Sequence, residues 1–416
     1  MPEAAEPTIV IGAGVAGLTT ALYLQRAGET VAVIDPLPPA GGASFGNAGL
    51  ISADTSVPIA LPGMVRKVPG WLTDRLGPLS VDPRYLPTAL PWLVRWVAAS
   101  RASRVEQISD AMRALHQTTF DCWRELLGQS RFSELIRPLG QVHVWESEAE
   151  TPSAALERNL RERQGIRVEK LSQDELRQMF PGISRRVVRG LLLPGNGFTV
   201  NPQRLVQTLG DLLREAGGTL IAERASRIIP DEGGGYTVMT NIGWRKAKRV
   251  VVAAGAWSNE LLRPLGIRIP LETERGYHAM LTAPGIDLRL PISNKSRSFG
   301  VTPMEHGLRV AGTVEIAGLQ APPNLERAKV LLEHVKGMFP DVDTREHRFW
   351  MGFRPSTPDS LPILGEAPGQ RNLFLALGHG HFGMTGGPPS AKIVSSLALG
   401  RPSPIDATPY SARRFG

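Results

Sequence analysis

TIVIGAGVAGLTTALYLQRAGETVAVID, residues 8–35, decides the fold. An apolar strand, Thr8 to Ile11, runs into Gly12, Gly14 and Gly17; a helical pattern carrying Leu18, Leu22 and Leu24 ends near Gly28; a second strand, Thr30 to Ile34, ends at Asp35. This is a complete βαβ unit. Gly12 permits the tight turn, Gly14 lets the backbone approach a pyrophosphate, and Gly17 lets helix and strand pack closely, with Val15 and Ala16 completing the turn. The positive end of the helix dipole then faces the phosphate charge. Asp35, followed by Pro36, stands where an acid accepts hydrogen bonds from an adenosine ribose, and an acid there argues against a ribose 2′-phosphate. A bound dinucleotide is expected.

Soon after comes GGASFGNAGLI, residues 41–51, whose Ala43, Ser44, Gly46, Asn47, Ala48 and Gly49 suit a loop that wraps an elongated ligand through its backbone. A plain surface loop would read the same way. A nicotinamide dehydrogenase would usually continue straight into another βα unit. Residues 56–104 instead combine prolines with Trp71, Leu72, Leu76, Trp92 and Trp96 beside Arg66, Lys67, Arg75, Arg95, Arg101 and Arg104. Rings and cations in this mixture fit an anionic membrane surface, and equally a loop and short helix packed on the protein.

Further along, NPQRLVQTLGDLLREAGGTLIAE (201–223) reads as a capped amphipathic helix and strand. KRVVVAAGAWSNELL (248–262) reads as a buried strand, a glycine turn and a helix. Ala225, Ala254, Gly255 and Trp257 are placed on the nucleotide side. The nucleotide domain is thus expected to be discontinuous, from residues 1–55, 195–262 and 345–416, with 56–194 and 263–344 forming a second domain. LETERGYHAML, SRSFGVTP and GLRVAGTVEIAG predict a mostly antiparallel sheet there, with MEHG as a hairpin turn. Along the first run Arg275 and Tyr277 share a face and His278 points to the other. Tyr277 could bind a substrate carboxylate or be purely structural. The fold class is α/β, α+β overall: a Rossmann-like domain with an interleaved substrate domain.

With 416 residues, 42% hydrophobic, and a mean hydropathy of −0.10, the chain has material for two or three globular domains. A net charge of +8 and a pI near 9.9 suit an acidic partner, but no run joins clustered cations to stacking aromatics, so nucleic acid is not expected. The single cysteine, Cys122, excludes an internal disulfide framework and reads as a packed residue in a helix. Neither a signal peptide nor a spanning helix is evident, which points to the cytoplasm, with the inner face of the membrane as the alternative.

The other end of the chain carries the chemistry. Arg354 precedes a proline-rigid turn; the strand Leu373 to Leu377 feeds GHGHFGMTGG, residues 378–387; and a helix is expected from about Pro389 to Leu399. Such a loop presents consecutive amides at a helix N-terminus, where the negative charge of a two-electron-reduced flavin ring would be stabilised. His379 and His381 would need further ligands to hold a metal, and none is evident. They are otherwise pocket residues, with His381 the better candidate for substrate contact.

VIGAGVAGL, ASFGNAG, RGYH, GFRPSTPDSLPILG and GHGHFGMT together resemble the FAD-dependent D-amino acid oxidase superfamily nearly end to end, most closely its bacterial D-amino acid dehydrogenase small-subunit branch. The resemblance implies an amino acid substrate whose carboxylate is clamped by Arg354, with Tyr277, Arg275 and His381 nearby. It implies FAD held without a covalent bond, its pyrimidine at Gly380, His381, Phe382, Gly383, Met384 and Thr385, and Asn47 and its neighbours along the ring. The tryptophan- and arginine-rich segment, and not these motifs, favours a quinone or another non-oxygen acceptor for the electrons. Rivals are an oxygen-using oxidase of the glycine or sarcosine type and a non-catalytic electron-transfer subunit. RGYH and TPMEHGLRVAG also look like a branch associated with hydroxyproline breakdown. Gly386, Gly387, Pro388 and Pro389 depart from the family pattern, which puts the position of the last helix in question.

Overall fold

The computed structural model describes every residue except 1–5, 65–67, 69, 71–73, 75 and 76. A six-stranded sheet runs, in spatial order, through Thr219–Ile221, Val31–Ile34, Thr8–Ile11, Arg249–Val252, Leu373–Leu377 and Ile363–Glu366. The first five strands are parallel and the last is antiparallel. Both faces are covered, so the strands are apolar at successive positions rather than alternating. Val10, Val33, Val251 and Ala376 join a core with the helices Val15–Arg26, Pro202–Glu215 and Gly383–Ala398. Ile9, Ile34, Val250 and Leu375 face a three-stranded antiparallel sheet that contributes Ile228 and Val238. The helices Ala102–His116 and Thr119–Leu135, grouped by sequence with the second domain, pack on the first core through Met112, Leu115, Trp123 and Leu126.

A nine-stranded sheet forms the second layer, with the hairpin of Phe299–Met304 and Gly307–Ile316 turning at Glu305 and His306. The helix Glu326–Met338 covers one face, packing Leu331 and Val335 on Tyr277, Ala279 and Val310. The strand His347–Ser356, expected on the nucleotide side, is instead an edge of this sheet and pairs along its whole length with Glu272–Leu281. Its uncovered face looks towards the nucleotide-binding part, and that places Arg354.

The last helix starts at Gly383, earlier than expected, and carries Pro388 and Pro389 in its second turn. Proline there removes the donors that would meet the carbonyls of Met384 and Thr385, at a cost of about 3 kcal/mol in an isolated helix. Those two carbonyls are taken up from a neighbouring helix. Trp123 Nε1 donates to the Met384 oxygen at 3.0 Å and Thr119 Oγ1 to the Thr385 oxygen at 2.6 Å. The helix therefore tolerates both prolines and can begin at the loop.

In the tryptophan- and arginine-rich stretch, Leu86–Ala99 is a helix. Its buried Trp92 donates Nε1 to the Ser356 carbonyl at 3.1 Å, while Leu86, Leu90, Val94 and Val97 are 41–61% exposed. One side packs on the protein, as the second of the two readings expects, and the other leaves an apolar stripe in solvent. Arg66, Lys67, Trp71, Leu72, Arg75 and Leu76 lie outside the described residues. Among the described residues no helix is long and apolar enough to cross a membrane.

Candidate active site

The first turn has the geometry that its glycines imply. Gly12 has φ +118°, and a Cβ there would lie 2.3 Å from the Ala253 carbonyl oxygen, so neither the conformation nor the space admits a side chain. Ala13 N–H donates to Asp35 Oδ2 at 2.7 Å and Leu37 N–H to Oδ1 at 2.8 Å. A carboxylate has about four lone-pair sites, so both oxygens keep acceptor capacity for a ribose. Burial pushes the Asp35 pKa up, and the two amides and Arg224 oppose it. Ser44 Oγ accepts from Val15 N–H at 3.0 Å, which places Ser44 at the start of the first helix.

A cavity of about 590 Å³ extends from this turn, past residues 42–48 and past Ala225, Ala254, Gly255 and Trp257, to the 380–385 loop. Its wall includes Gly12, Gly14, Val15, Ala16, Asp35 and Pro36. Gly17 and Gly49 lie behind it. Gly17 abuts the Gly12 carbonyl, and Gly49 N–H donates to Asn47 Oδ1 at 2.8 Å, so the amide oxygen of Asn47 is engaged within its own turn.

At the far end Arg354 sits opposite Glu274 in the strand register, diagonal to Gly276. A Cβ on Gly276 would lie 2.1 Å from the Arg354 Cζ, so the guanidinium lies flat on bare backbone. Its Nη1 donates to the Thr313 carbonyl at 3.2 Å, where Thr313 adopts φ +58° beside a register shift between Arg275 and Tyr277. Trp350 fills the space over Gly46 and Gly352 and stacks on His278, with centroids 5.2 Å apart and planes at 21°. His278 Nδ1 donates to the Gly46 carbonyl at 3.1 Å; burial and Arg309 push its pKa down to about 3, so the ring is neutral. Arg309 Nη1 donates to the carbonyls of Phe45 and Asn47 at 3.2 and 2.6 Å. These contacts fasten the 41–51 loop to the substrate-side sheet.

Arg275 and Tyr277 occupy the opposite face of their strand from Arg354, which corrects their expected role. Arg275, fully buried, donates to the carbonyls of Gly318, Ala321 and Pro322 and approaches Glu315. The Tyr277 hydroxyl donates to Glu315 at 2.6 Å and accepts from Asn324 N–H at 2.9 Å, although the residue borders the cavity. Burial and Glu315 push its pKa up to about 12. Strand alternation put the pair together, and both groups hold the 315–324 turn.

His381 lines the cavity, with Nε2 2.5 Å from Glu274 Oε2. Burial alone would raise the Glu274 pKa, but His381, Arg354 and Ser356 bring it below the usual carboxylate value. His379 is buried, its Nε2 unpartnered, and burial together with neighbouring His116 lowers its pKa to about 4. Among the described residues no three His, Cys, Asp or Glu side chains are grouped to hold a metal. Burial raises the pKa of Cys122, which is packed inside. Sequence reading overlooked Glu274, Gly276, Arg309 and Trp350, and put His278 on the opposite face from Tyr277 without giving it a role; a glutamate inside the apolar-flanked strand ETERGYHAML was the available signal.

One helix N-terminus for phosphate and a second, across the same cavity, for a reducible ring meet the demands of a flavin dinucleotide, and this defines a flavin-dependent oxidoreductase. The FAD dependent oxidoreductase family profile matches residues 8–397, and the chain belongs to that family. It is 37% identical over 422 residues to a D-amino-acid oxidase of Bradyrhizobium diazoefficiens, covering 100% of both chains. It is 33% identical over 408 residues to a D-amino acid dehydrogenase of Vibrio cholerae, covering 95% and 96%. Glycine oxidase from Geobacillus kaustophilus shares the fold, with a TM-score of 0.73 at 23% identity over 98% of both chains.

Proposed function

We propose that the chain oxidises D-amino acids at Cα–N, with Arg354 as the anchor for the substrate carboxylate. The observation that carries this is the Arg354 guanidinium laid on Gly276 at the cavity wall that also holds the 380–385 loop. A planar fork whose bond from Nη1 to the Thr313 carbonyl leaves its other N–H groups for a ligand suits bidentate binding of a carboxylate. Bound FAD would supply two-electron, hydride-accepting chemistry. Gly12, Gly14 and Asp35 would hold its nucleotide half, and the first-turn amides of Gly383–Ala398 would face its pyrimidine. Arg354 fixes the substrate's orientation, and Trp257, edge-on to Phe353 at 5.4 Å, and Trp350 exclude water. The imine product would hydrolyse to a keto acid, or persist as a ring if the substrate were cyclic.

For the acceptor we favour a quinone reached at a membrane surface. The apolar stripe of Leu86–Ala99 supports this, because the same helix meets the site through Trp92 and through Trp96, which shares a small recess with His381. The oxygen-using reading is favoured by the relative named D-amino-acid oxidase. Anaerobic addition of D- and L-amino acids, D-proline and hydroxy-D-proline among them, should bleach the flavin with D-substrates only; bleaching by none refutes the function. Stoichiometric peroxide on admitting air would select the oxidase.

A further inference from the structure

Glu274 is nearly inaccessible and sits in the sheet between two cationic or potentially cationic groups, Arg354 across the strand pair and His381 from the last loop. Carboxyl oxygens of an ionised glutamate only accept, so the 2.5 Å contact assigns the imidazole proton to Nε2. The other ring nitrogen, Nδ1, makes no hydrogen bond among the described residues, on a side chain 30% exposed at the cavity wall. An amino acid held by its carboxylate at Arg354 brings a protonated amine into the same cavity, and that amine must lose a proton before its lone pair can assist departure of a hydride from Cα.

We propose that Glu274 and His381 form a proton-accepting dyad: the glutamate fixes the imidazole tautomer, and Nδ1 takes a proton from the substrate ammonium. The N–H bond breaks heterolytically, the electron pair stays on nitrogen, the proton moves to Nδ1, and nothing is oxidised or reduced in this step. His381 is the catalytic residue and Glu274 its positioning residue. The inference rests on the reading that Arg354 binds the carboxylate. Charged or titratable groups around the ring are Glu274 and Arg354 from the two strands, His379 from the same loop, and His116 from Ala102–His116 behind Phe382. His116 and His379 are neutral above about pH 4, so they do not titrate in the range concerned.

The test compares holoenzyme, Glu274→Gln and His381→Gln by anaerobic stopped flow across pH with one D-amino acid. Each protein is also titrated with benzoate, a carboxylate without an amine, read by perturbation of the flavin spectrum. We expect His381→Gln to slow flavin reduction about 10²–10⁴-fold below the amine pKa. We expect Glu274→Gln to move the acid limb to lower pH, since an amide supports imidazolium less well than a carboxylate, and benzoate affinity to change less than about threefold in both. An acid limb at the same pH in all three proteins overturns the dyad, and loss of benzoate affinity overturns it in favour of a support for Arg354. If Glu274→Gln does not retain flavin, His381→Gln decides alone: a normal rate overturns the proposal and a slowed one with intact benzoate binding upholds it. Failure of every amino acid to bleach the wild type would instead sink the function itself.

Discussion

Adding one methyl group at Gly276 tests the substrate anchor without touching its charge. In Gly276→Ala the new Cβ would stand 2.1 Å from Cζ and 2.1 Å from Nη2 of Arg354, against about 3.5–4.0 Å for an ordinary contact. The guanidinium must move by roughly 1.5 Å, about half the length of a hydrogen bond. Its atoms are the far end of a flexible side chain, so the displacement is accommodated by Arg354 and not by the backbone. A displaced fork loses at least one of two charge-assisted bonds to a carboxylate, about 1.5–3 kcal/mol, which is a 10- to 150-fold loss in kcat/KM. Steady-state kinetics with a dye acceptor, alongside benzoate titration, measures this, and flavin content and thermal midpoint should stay close to wild type. Wild-type KM and benzoate affinity in a folded Gly276→Ala enzyme would refute the placement of the carboxylate at Arg354.

Trp123→Phe should leave the buried Met384 carbonyl without a donor and destabilise the chain by about 1–3 kcal/mol, measured by urea unfolding. Pro388→Ala in that background should recover part of the loss, because alanine restores the N–H that the helix lacks. Asp35→Asn has one acceptor oxygen where the structure uses two, so flavin should dissociate more readily on gel filtration; full retention would count against the ribose role. The buried His116, His278 and His379 have folded-state pKa values depressed to about 3–4, below an unfolded value near 6.5. The unfolded chain therefore binds more protons in this window, and stability present above pH 6.5 is lost as pH falls towards 4, by about 1 kcal/mol per histidine per pH unit. A thermal midpoint flat from pH 7 to 4.5 would contradict their burial as neutral rings.

Local signals in the chain were sufficient for the nucleotide end. A glycine turn between an apolar strand and a helix, closed by Asp35, has one low-energy backbone solution, because Gly12 must adopt φ +118° beside the Ala253 carbonyl. At the other end of the cavity the glycine loop between an apolar strand and a helix was legible in the same way, but the residue at which that helix begins was not. The strand Glu272–Leu281 was different. Alternation made Arg275 and Tyr277 neighbours, but every residue in that strand except Met280 is buried, so hydrophobicity could not tell which face meets the cavity and which meets Glu326–Met338. Similarly, Pro388 and Pro389 argue locally for a later helix start; only Trp123 and Thr119, more than 260 residues away in the chain, make the earlier one affordable. Glu274 meets His381 across a sequence separation of 107, and no periodicity reports such a contact. Short-range sterics and hydrogen-bond geometry are thus written in the sequence, whereas the choice between two buried faces, and the partners of buried polar groups, belongs to packing.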